Sequence, residues 1–401
     1  MNISQDRPLK GVRVIEMGSL IAGPFAAKTL GDFGAQIIKI EPPGTGDPLR
    51  TWRSPDNGTS VWWHVQSRNK QSVAIDLRQP EGQDLVRQLA AEADVVIENF
   101  RPGTLEQWGL DYDTLSRLNP RLIMLRISGY GQTGPLRDLP GFGVIAEAMG
   151  GLRYITGVLG QPPVRPGISL GDSLSALHGV IGVLLALYHR AANGGRGQMI
   201  DVALYESVFN LMEGALPEFD RHHAIREPAG SALQGVAPTN AYPCADGRHI
   251  LIAGNGDSIF KRLMQLIGRD DLGNDPRLAS NPGRVKEMAL IDEAIGRWTS
   301  ERGLDEALRE LAGARIPAGK VFTIKDIAEN EHYQARGMLR SIQLKDGSTL
   351  RVPGVVPKLS ATPGGFDAGG PELGEHTATV LRAAGIPETV LAELRAKGVI
   401  A

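Results

Sequence analysis

Over the first 130 positions, short β-branched runs alternate with amphipathic stretches of helical spacing. Val12–Met17 predicts a strand that ends at Gly18. The pattern opened by Pro24 predicts a helix, and Gln36–Glu41 predicts a second strand, which together make a βαβ unit and imply a parallel sheet. The alternation continues with predicted strands at Ser72–Leu77, Asp94–Glu98 and Leu122–Ile127 and predicted helices at Pro80–Ala93 and Thr104–Leu118. The pattern therefore predicts an open, Rossmann-like α/β domain.

Residues 142–192 are mostly apolar, with a helical pattern. Large side chains recur at spacings of three and four and would form a stripe along one face of a helix. The pattern predicts that this stripe faces the core; its residues are Leu174, Leu177, Ile181, Leu184 and Tyr188. The uncharged stretch Ser173–His189 contains two Ser and two His and falls short of the ~20 apolar residues of a membrane span. We interpret it as a buried helix. A glycine-rich break at Gly194–Gly197 precedes a predicted strand at Met199–Ala203.

The second half of the chain has a different composition from about Leu216 onward. The polar run Pro217–Pro238 is interpreted as a linker, and a strand at Arg248–Ala253 precedes predicted helices. This pattern predicts a smaller α+β domain, with helices at Ser258–Ile267, Glu287–Trp298 and Leu304–Ala312. The predicted domains are residues 1–216 (large), 217–325 (linker and small) and 326–401, which return to the large domain with short strands within Ser341–Val352 and a helix at Thr377–Ala384.

Charge and cysteine content exclude several classes of protein. The 401 residues carry 43 Lys and Arg against 45 Asp and Glu, so the basic excess of a nucleic-acid binder is absent. One cysteine, Cys244, excludes an intrachain disulfide framework and argues against a thiolate metal cage. The polar start, Met1–Lys10, has no apolar segment of a secretory signal. We therefore expect a cytoplasmic protein that binds neither membrane nor nucleic acid.

The turn from Gly18 to Pro24 suggests a nucleotide site. Glu41 ends the second predicted strand about where a ribose-binding acid would lie, but the G-x-G-x-x-G fingerprint is missing and Ile21 stands inside the turn. A helix N-terminus can still bind phosphate. A nicotinamide-dependent dehydrogenase remains the alternative from a different class.

Two short segments could carry chemistry or merely shape the backbone. Asp172 precedes the apolar helix, where Asp is a preferred N-cap; a carboxylate held by backbone N–H groups would also serve as a nucleophile, and Gly171 beside it admits a bulky ligand. Gly254-Asn255-Gly256 is either a simple turn or a flexible flap that presents N–H groups to an oxyanion. His178 is interpreted as a core residue, and no metal site is predicted.

Taken together, segments along nearly the whole chain resemble the class III CoA-transferases (the CaiB/BaiF family), which include formyl-CoA:oxalate transferase and carnitine CoA-transferase. The segments that carry the resemblance are PLKGVRVIEM, AGPFAAKTLGDFGAQIIKIEPPGTGD, RNKQSVAIDLRQPEG, DVVIENFRPG, ISGYGQTGP, RPGISLGDSLSALHG, GRGQMIDVALYES, IPAGKV and LGEHT.

The resemblance implies that Asp172 is the catalytic carboxylate. In the family it attacks an acyl-CoA thioester, forms a mixed anhydride and then an aspartyl-CoA thioester, and passes CoA to an acceptor acid. A carboxylate nucleophile needs no general base, and no tightly bound cofactor is implied because coenzyme A is itself a substrate. By similarity, Gly254, Asn255 and Gly256 form the gating substrate loop. The resemblance also implies a homodimer of interlocked ring-shaped protomers.

The CoA contacts implied by the resemblance are Ile21, Ala22, Ile75, Asp76, Leu77, Arg78, Asn99, Phe100, Arg101, Pro140, Gly141, Phe142 and Gly143. Arg78 and Arg101 are candidates for the CoA phosphates. The formyl-CoA type has Gln, Arg and Tyr where this chain has Ile21, Pro42 and Phe142, which disfavours oxalate and formate. The sequence is more similar to the branch that moves CoA from succinyl-CoA to small dicarboxylic or hydroxydicarboxylic acids.

Acyl-CoA racemases of the same superfamily are the second alternative. They use a His–Asp pair, and their His would fall at Phe142, which cannot take a proton. The sequence therefore favours CoA transfer.

Overall fold

The computed structural model describes residues 7–366 and 368–401, so positions 1–6 of the polar start lie outside the described residues. The chain divides into two compact units. The first combines the residues up to Leu152 with 166–213 and 332–401, and the second combines 153–165 with 214–331. Residues 153–165 thus group with the second unit, whereas the sequence pattern assigns them to the large domain.

The strands, in chain order, are β1 Arg13–Glu16, β2 Gln36–Glu41, β3 Pro55–Asp56, β4 Thr59–Ser60, β5 Lys70–Ala74, β6 Val95–Glu98, β7 Ile123–Ser128, β8 Met199–Ala203, β9 Thr239–Pro243, β10 His249–Ala253, β11 Ala318–Lys320, β12 Leu339–Gln343 and β13 Thr349–Pro353. The predicted bounds of β2 and β8 are confirmed, and the strand predicted at Ser72–Leu77 begins and ends earlier, as β5.

The helices are α1 Ala22–Asp32, α2 Val61–Gln66, α3 Pro80–Ala91, α4 Thr104–Gln107, α5 Tyr112–Leu118, α6 Gly143–Met149, α7 Leu152–Ile155, α8 Leu170–Ala192, α9 Leu204–Phe209, α10 Ala215–His222, α11 Asp257–Leu266, α12 Asp270–Gly273, α13 Asn281–Lys286, α14 Met288–Ser300, α15 Leu304–Gly313, α16 Ile324–Glu329, α17 Glu331–Ala335, α18 Thr377–Ala383 and α19 Glu388–Ala396. The helix predicted at Thr104–Leu118 is two helices, because Gly109 between them has a φ of +60°.

The described part of the first unit is built on a six-stranded sheet in the order β5-β2-β1-β6-β7-β8, and every neighbouring pair is parallel. The chain moves from β1 outward to β2 and β5, then returns to the other side of β1 for β6, β7 and β8. The direction of winding therefore reverses between β1 and β6. The predicted α/β class with a parallel sheet is confirmed.

Both faces of this sheet are covered, as parallel sheets require. Val14 and Ile15 alternate between two separate cores, one shared with α1 and α8 and the other with α3, α5, α18 and α19. The residues of β1, β6 and β7 are almost all buried, which explains why apolar residues predominate in these strands.

The prediction that the large side chains of α8 face the core is wrong. Leu177, Ile181, Leu184 and Tyr188 are 42–70% exposed in the single chain. The helix instead packs on the sheet through small residues, since a Cβ on Gly179 would lie 2.7 Å from Leu125 of β7 and a Cβ on Gly182 would lie 2.9 Å from Ile200 of β8. Only 39% of the most apolar window of α8 is buried; by length and hydropathy the helix could also cross a membrane, a criterion that core helices of water-soluble proteins share.

In residues 214–331, all of them described, an antiparallel sheet in the order β11-β10-β9 packs against α11, α14 and α15. Ile250, Ile252, Leu263 and Ile295 are fully or nearly fully buried in the core of this unit. The predicted smaller α+β domain is thereby confirmed, although β9 is not predicted by the sequence pattern.

Candidate active site

Asp172 lies in the first turn of α8, as the third residue of the helix. Ser169 is the N-cap residue, so the interpretation of Asp172 as the cap is wrong, and the Ser169 side chain makes no capping hydrogen bond. The first turn of a helix carries unpaired N–H groups and a partial positive charge. The helix therefore stabilises a carboxylate at this position.

Two glycines let the backbone of a second helix approach the Asp172 carboxylate. A Cβ on Gly143, the first residue of α6, would overlap Asp172 Oδ2 and lie 3.0 Å from Cγ. A Cβ on Gly171 would lie 3.1 Å from the carbonyl oxygen of Gly143. Close contact between α6 and this turn of α8 therefore requires residues without side chains at both positions.

The segments with candidate binding residues in the first unit follow the carboxyl ends of parallel strands. Ile21 and Ala22 come after β1, Ile75–Arg78 after β5, Asn99–Arg101 after β6 and Pro140–Gly143 after β7. These strand ends form one edge of the sheet, and the reversal between β1 and β6 falls where open α/β sheets bind ligands. The structure thus brings the four predicted segments to a single edge.

The turn after β1 is fixed by side chains from neighbouring strands. Asn99 accepts a hydrogen bond from the Ser19 amide at 2.8 Å and donates to the Ser19 carbonyl at 2.9 Å. Lys39 Nζ donates to the Gly18 carbonyl at 2.9 Å. Leu20 has a φ of +63°, and its amide donates to the Asp47 carboxylate at 3.1 Å. The backbone that precedes Ile21 and Ala22 is therefore held in one conformation.

Beneath this turn lies a cluster of buried ions. Lys39 pairs with Glu16 at 2.8 Å and with Asp47 at 2.9 Å, and Lys70 pairs with the second oxygen of Glu16 at 2.7 Å. Burial by itself lowers the pKa of Lys39, but the Asp47 and Glu16 carboxylates outweigh it and raise the pKa. Burial dominates at Lys70 and lowers its pKa to about 8.

The loop Gly254-Asn255-Gly256 joins β10 to α11 in the second unit. The Gly254 amide donates to Pro238 O at 2.9 Å, and a Cβ on Gly254 would lie 2.7 Å from Leu263 Cδ2. Arg284, which is fully buried, donates to the Asn255 carbonyl at 2.6 Å. The Asn255 side chain is exposed. The backbone of the loop is thus anchored while its central side chain faces solvent.

Comparison with known proteins decides the family. The model of CoA-transferase family III matches residues 9–377. The chain belongs to this family. The predicted class III resemblance and the predicted CoA-transferase class of enzyme are both confirmed, and a CoA thioester is accordingly a substrate.

Relatives of the family match the chain over nearly its full length. It is 48% identical to succinyl-CoA–D-citramalate CoA-transferase and 44% identical to the β subunit of succinyl-CoA–L-malate CoA-transferase, both from Chloroflexus aurantiacus, over 98% of each chain. Among solved structures, a CaiB/BaiF family protein from Brucella suis is 34% identical with a TM-score of 0.83, covering 95% of this chain and 100% of its own.

Among the charged residues predicted to contact CoA, Arg78 and Arg101 are exposed, whereas Asp76 is buried. The Arg78 side chain is 79% exposed and donates to the Asp76 carboxylate at 2.8 Å, which lowers the pKa of Asp76 to about 2. Arg101 is exposed, and Phe100 meets Trp108 edge to face at 5.3 Å. The Asn99 side chain is hydrogen-bonded to the Ser19 backbone through both its oxygen and its nitrogen.

Candidate metal ligands and the cysteine lie among the described residues. Among residues 7–366 and 368–401, no group of three His, Cys, Asp or Glu side chains could hold a metal ion. Cys244 is buried, and burial raises the pKa of its thiol, which suppresses the reactive thiolate.

Sequence reasoning missed three buried residues next to the predicted segments: Lys39, Glu147 and Arg284. Lys39 could have been found, because a charge inside the apolar run QIIKIE must be paired if the strand is buried on both faces. Glu147 and Arg284 stand in short helices with no local signal.

Proposed function

We propose that this family III enzyme transfers CoA from succinyl-CoA to a small 2-hydroxydicarboxylic acid, with Asp172 as the nucleophile. The observation that carries the proposal is the carboxylate of Asp172 in the first turn of α8, with the glycine backbone of α6 directly against it. The choice of substrates is supported by the relatives, whose names specify succinyl-CoA with citramalate or malate.

The proposed reaction passes through four substitutions at acyl carbon. Asp172 attacks the thioester of succinyl-CoA, the C–S bond breaks, and CoA thiolate leaves a succinyl-aspartyl anhydride. The thiolate then attacks the aspartyl carbonyl, succinate departs, and an aspartyl-CoA thioester remains. The acceptor carboxylate displaces the thiolate to form a second anhydride. The thiolate finally attacks the acceptor carbonyl, which releases the new CoA ester and the Asp172 carboxylate.

The chemistry of this sequence matches the groups available. A carboxylate attacks without a general base, since it carries no proton to remove. One thioester replaces another, so no external energy source is required. We propose that CoA lies along the carboxyl edge of the sheet, with Ile21, Ala22 and the segments after β5, β6 and β7 as contacts and with Arg78 and Arg101 as phosphate partners.

The loop Gly254-Asn255-Gly256 is proposed as the substrate loop. Its anchored backbone and exposed Asn255 side chain favour a fixed presentation of one polar group over a freely moving flap. Asn255→Ala tests this role, and we expect a higher KM for the acceptor acid at unchanged KM for succinyl-CoA.

We also propose that the protein works in the cytoplasm as a homodimer, with the exposed stripe of α8 in the interface. Leu177, Ile181, Leu184 and Tyr188 form an apolar surface that is costly to leave in water. Light scattering should give twice the mass of one chain, and Ile181→Asp should shift the protein toward monomer. A wild-type protein that remains monomeric contradicts the proposal.

The nucleophile is tested by trapping and by substitution. Wild-type enzyme incubated with succinyl-CoA and quenched with hydroxylamine should carry the modification on Asp172, located by peptide mass spectrometry. Asp172→Ala should lower kcat on the order of 10⁴-fold or more. Full turnover by Asp172→Ala would contradict the proposed mechanism.

Acceptor class is tested with a panel of acids and mass spectrometry of the CoA esters. Malate and citramalate should be converted faster than dicarboxylic acids that lack the 2-hydroxyl group. They should also be converted faster than monocarboxylic acids. A preference for monocarboxylic acids would contradict the proposed substrate class and leave the role of Asp172 intact.

A further inference from the structure

Helix α6 places two residues, one turn apart, against the first turn of α8. Gly143 lies against the Asp172 carboxylate, and Glu147 lies against the backbone at Gly171. Residues four apart share one face of a helix. This face of α6 therefore contacts both the proposed nucleophile and the residue that precedes it.

Glu147 is fully buried. Its Oε1 lies 3.5 Å from the Gly171 amide nitrogen and accepts a long hydrogen bond from it. A Cβ on Gly171 would lie 3.5 Å from Glu147 Cγ, so the side chain packs directly on the backbone of α8. Burying a carboxyl group is unfavourable unless polar groups form hydrogen bonds with it, and the free N–H groups of a helix N-terminus can do so.

The α8 terminus needs an acceptor from elsewhere. An N-cap side chain ordinarily binds an amide of the first turn, but Ser169 makes no such bond. The Glu147 carboxyl group reaches across from α6 and binds the amide of the second helical residue, Gly171. Since Asp172 follows directly, a partner that fixes Gly171 also fixes the backbone from which the Asp172 side chain departs.

We propose that Glu147 is a positioning residue for Asp172, which rests on the role of Asp172 as nucleophile proposed above. Glu147 acts through the Gly171 peptide and holds the Asp172 carboxylate over Gly143. Misplacement of a reacting group by about 1 Å can lower a rate on the order of 10²-fold. The quantity that should respond is therefore kcat, whereas the KM for the CoA thioester should not.

Two substitutions of Glu147 separate positioning from packing. Glu147→Met keeps the length of the side chain and removes the acceptor, and Glu147→Gln keeps an oxygen that can accept from Gly171. We expect Glu147→Met to lower kcat, and the rate at which hydroxylamine traps Asp172, on the order of 10²-fold with KM for succinyl-CoA within about threefold. Glu147→Gln should restore most of this rate. Glu92→Met, at a largely exposed glutamate, is the matched control.

The results that would overturn the proposal are distinct. Glu147→Met with wild-type kcat per folded molecule would show a structural role only, and Glu147→Gln as slow as Glu147→Met would show that the charge, not the acceptor, is required. The activity of Asp172→Ala, measured in the same assay, separates the proposed role of Asp172 from the proposed role of Glu147. An active Asp172→Ala removes the proposed function, whereas an inactive one with normal Glu147→Met removes only the role of Glu147.

Gly143→Ala provides a second test if Glu147→Met fails to fold. Its Cβ would overlap Asp172 Oδ2, so the carboxylate must move while Glu147 stays in place. We expect a loss of kcat similar to that of Glu147→Met, and Gly296→Ala, where a Cβ meets open space, serves as the control. Wild-type kcat for Gly143→Ala would contradict the inferred arrangement of Asp172 on α6.

Discussion

Each unit contains a strand-to-helix turn whose backbone is held by a buried cation. In the first unit, Lys39 Nζ donates to the carbonyl of Gly18 at 2.9 Å, in the turn after β1. In the second unit, Arg284 donates to the carbonyl of Asn255 at 2.6 Å, in the loop after β10. Both turns contain a glycine whose Cβ would collide with a neighbour.

The two cations differ in what surrounds them. Lys39 stands on a buried strand between the carboxylates of Glu16 and Asp47, and all three side chains are almost wholly buried. Arg284 donates mostly to neutral carbonyls, those of Ala237, Leu278 and Asn255. Its carboxylate partner among the described residues, Asp257, is 67% exposed and therefore hydrated. Removal of the first cation leaves buried negative charge, whereas removal of the second leaves neutral acceptors.

Lys39→Met should therefore have the largest effect on stability. The substitution leaves Glu16 paired with Lys70 and removes the ammonium group that lies 2.9 Å from the Asp47 carboxylate, so the free energy of unfolding should fall by about 3–5 kcal/mol. Urea unfolding measures the loss, with exposed Lys325→Met as the control. A loss below that of Arg284→Met would contradict the contrast between the two turns.

Arg284→Met should destabilise the second unit less, by about 2–3 kcal/mol, because buried carbonyls lose a donor and no buried charge is exposed. Hydrogen exchange read by mass spectrometry should show faster exchange in the loop 254–256 and unchanged exchange in β1 and β2. Arg284→Lys should retain part of the stability, since an ammonium group can serve some of the acceptors. Equal destabilisation by Lys and Met would mean that the planar guanidinium itself is required.

The pH dependence of the stability should arise mainly from the buried charged groups around the turn after β1. Burial opposes the charged forms of Glu41 and Asp47, but Arg50 and Lys39 outweigh it and lower both pKa values, so the native state binds fewer protons than the unfolded chain in acid. Stability should then fall as the pH drops below about 4.5.

Lys70 affects stability at alkaline pH. Burial lowers its pKa to about 8, so between about pH 8 and 10.5 the unfolded chain binds more protons and stability should rise with pH. Urea midpoints measured below about pH 4.5 and between about pH 8 and 10.5 report the acid and the alkaline change in turn, and Lys70→Met should abolish the alkaline rise. A stability that falls steadily above pH 8 in the wild type but not in Lys70→Met would contradict the lowered pKa.

Much of the sheet could be predicted from the sequence, because strands buried on both faces read as apolar runs. Gln36–Glu41, buried at every residue but the first, matches the observed strand in its bounds. So does Met199–Ala203, although this edge strand is only partly buried. The stripe of α8 could not be predicted correctly, because periodicity identifies an apolar face but not the surface that covers it. In this helix, Gly179 and Gly182 allow the face with small residues to pack against the sheet.

In each unit, the candidate functional segments depend on contacts between residues that are far apart in the sequence. Glu147 meets Gly171, and Arg284 meets Asn255, across intervals that no local pattern spans. The family resemblance indicates Asp172 as the nucleophile, whereas a position before an apolar helix by itself favours an N-cap. Lys39 is the exception, because a charge inside a predicted buried strand already signals a paired ion.

The smallest effect is expected from Gly256→Ala. Gly256 has φ −71° and ψ 136°, which any residue adopts, and its Cβ would lie 3.3 Å from the flexible end of Ile259. Ala is a poorer N-cap than Gly but restricts the unfolded chain more, so the free energy of unfolding should change by no more than about 0.5 kcal/mol. Gly18→Ala is the comparator: its Cβ would lie 2.8 Å from Asn99 Oδ1 and 3.2 Å from the Gly23 backbone, so it should destabilise clearly more. Equal urea midpoints for the two variants would mean that the turn after β1 is no more tightly constrained than the end of the loop after β10.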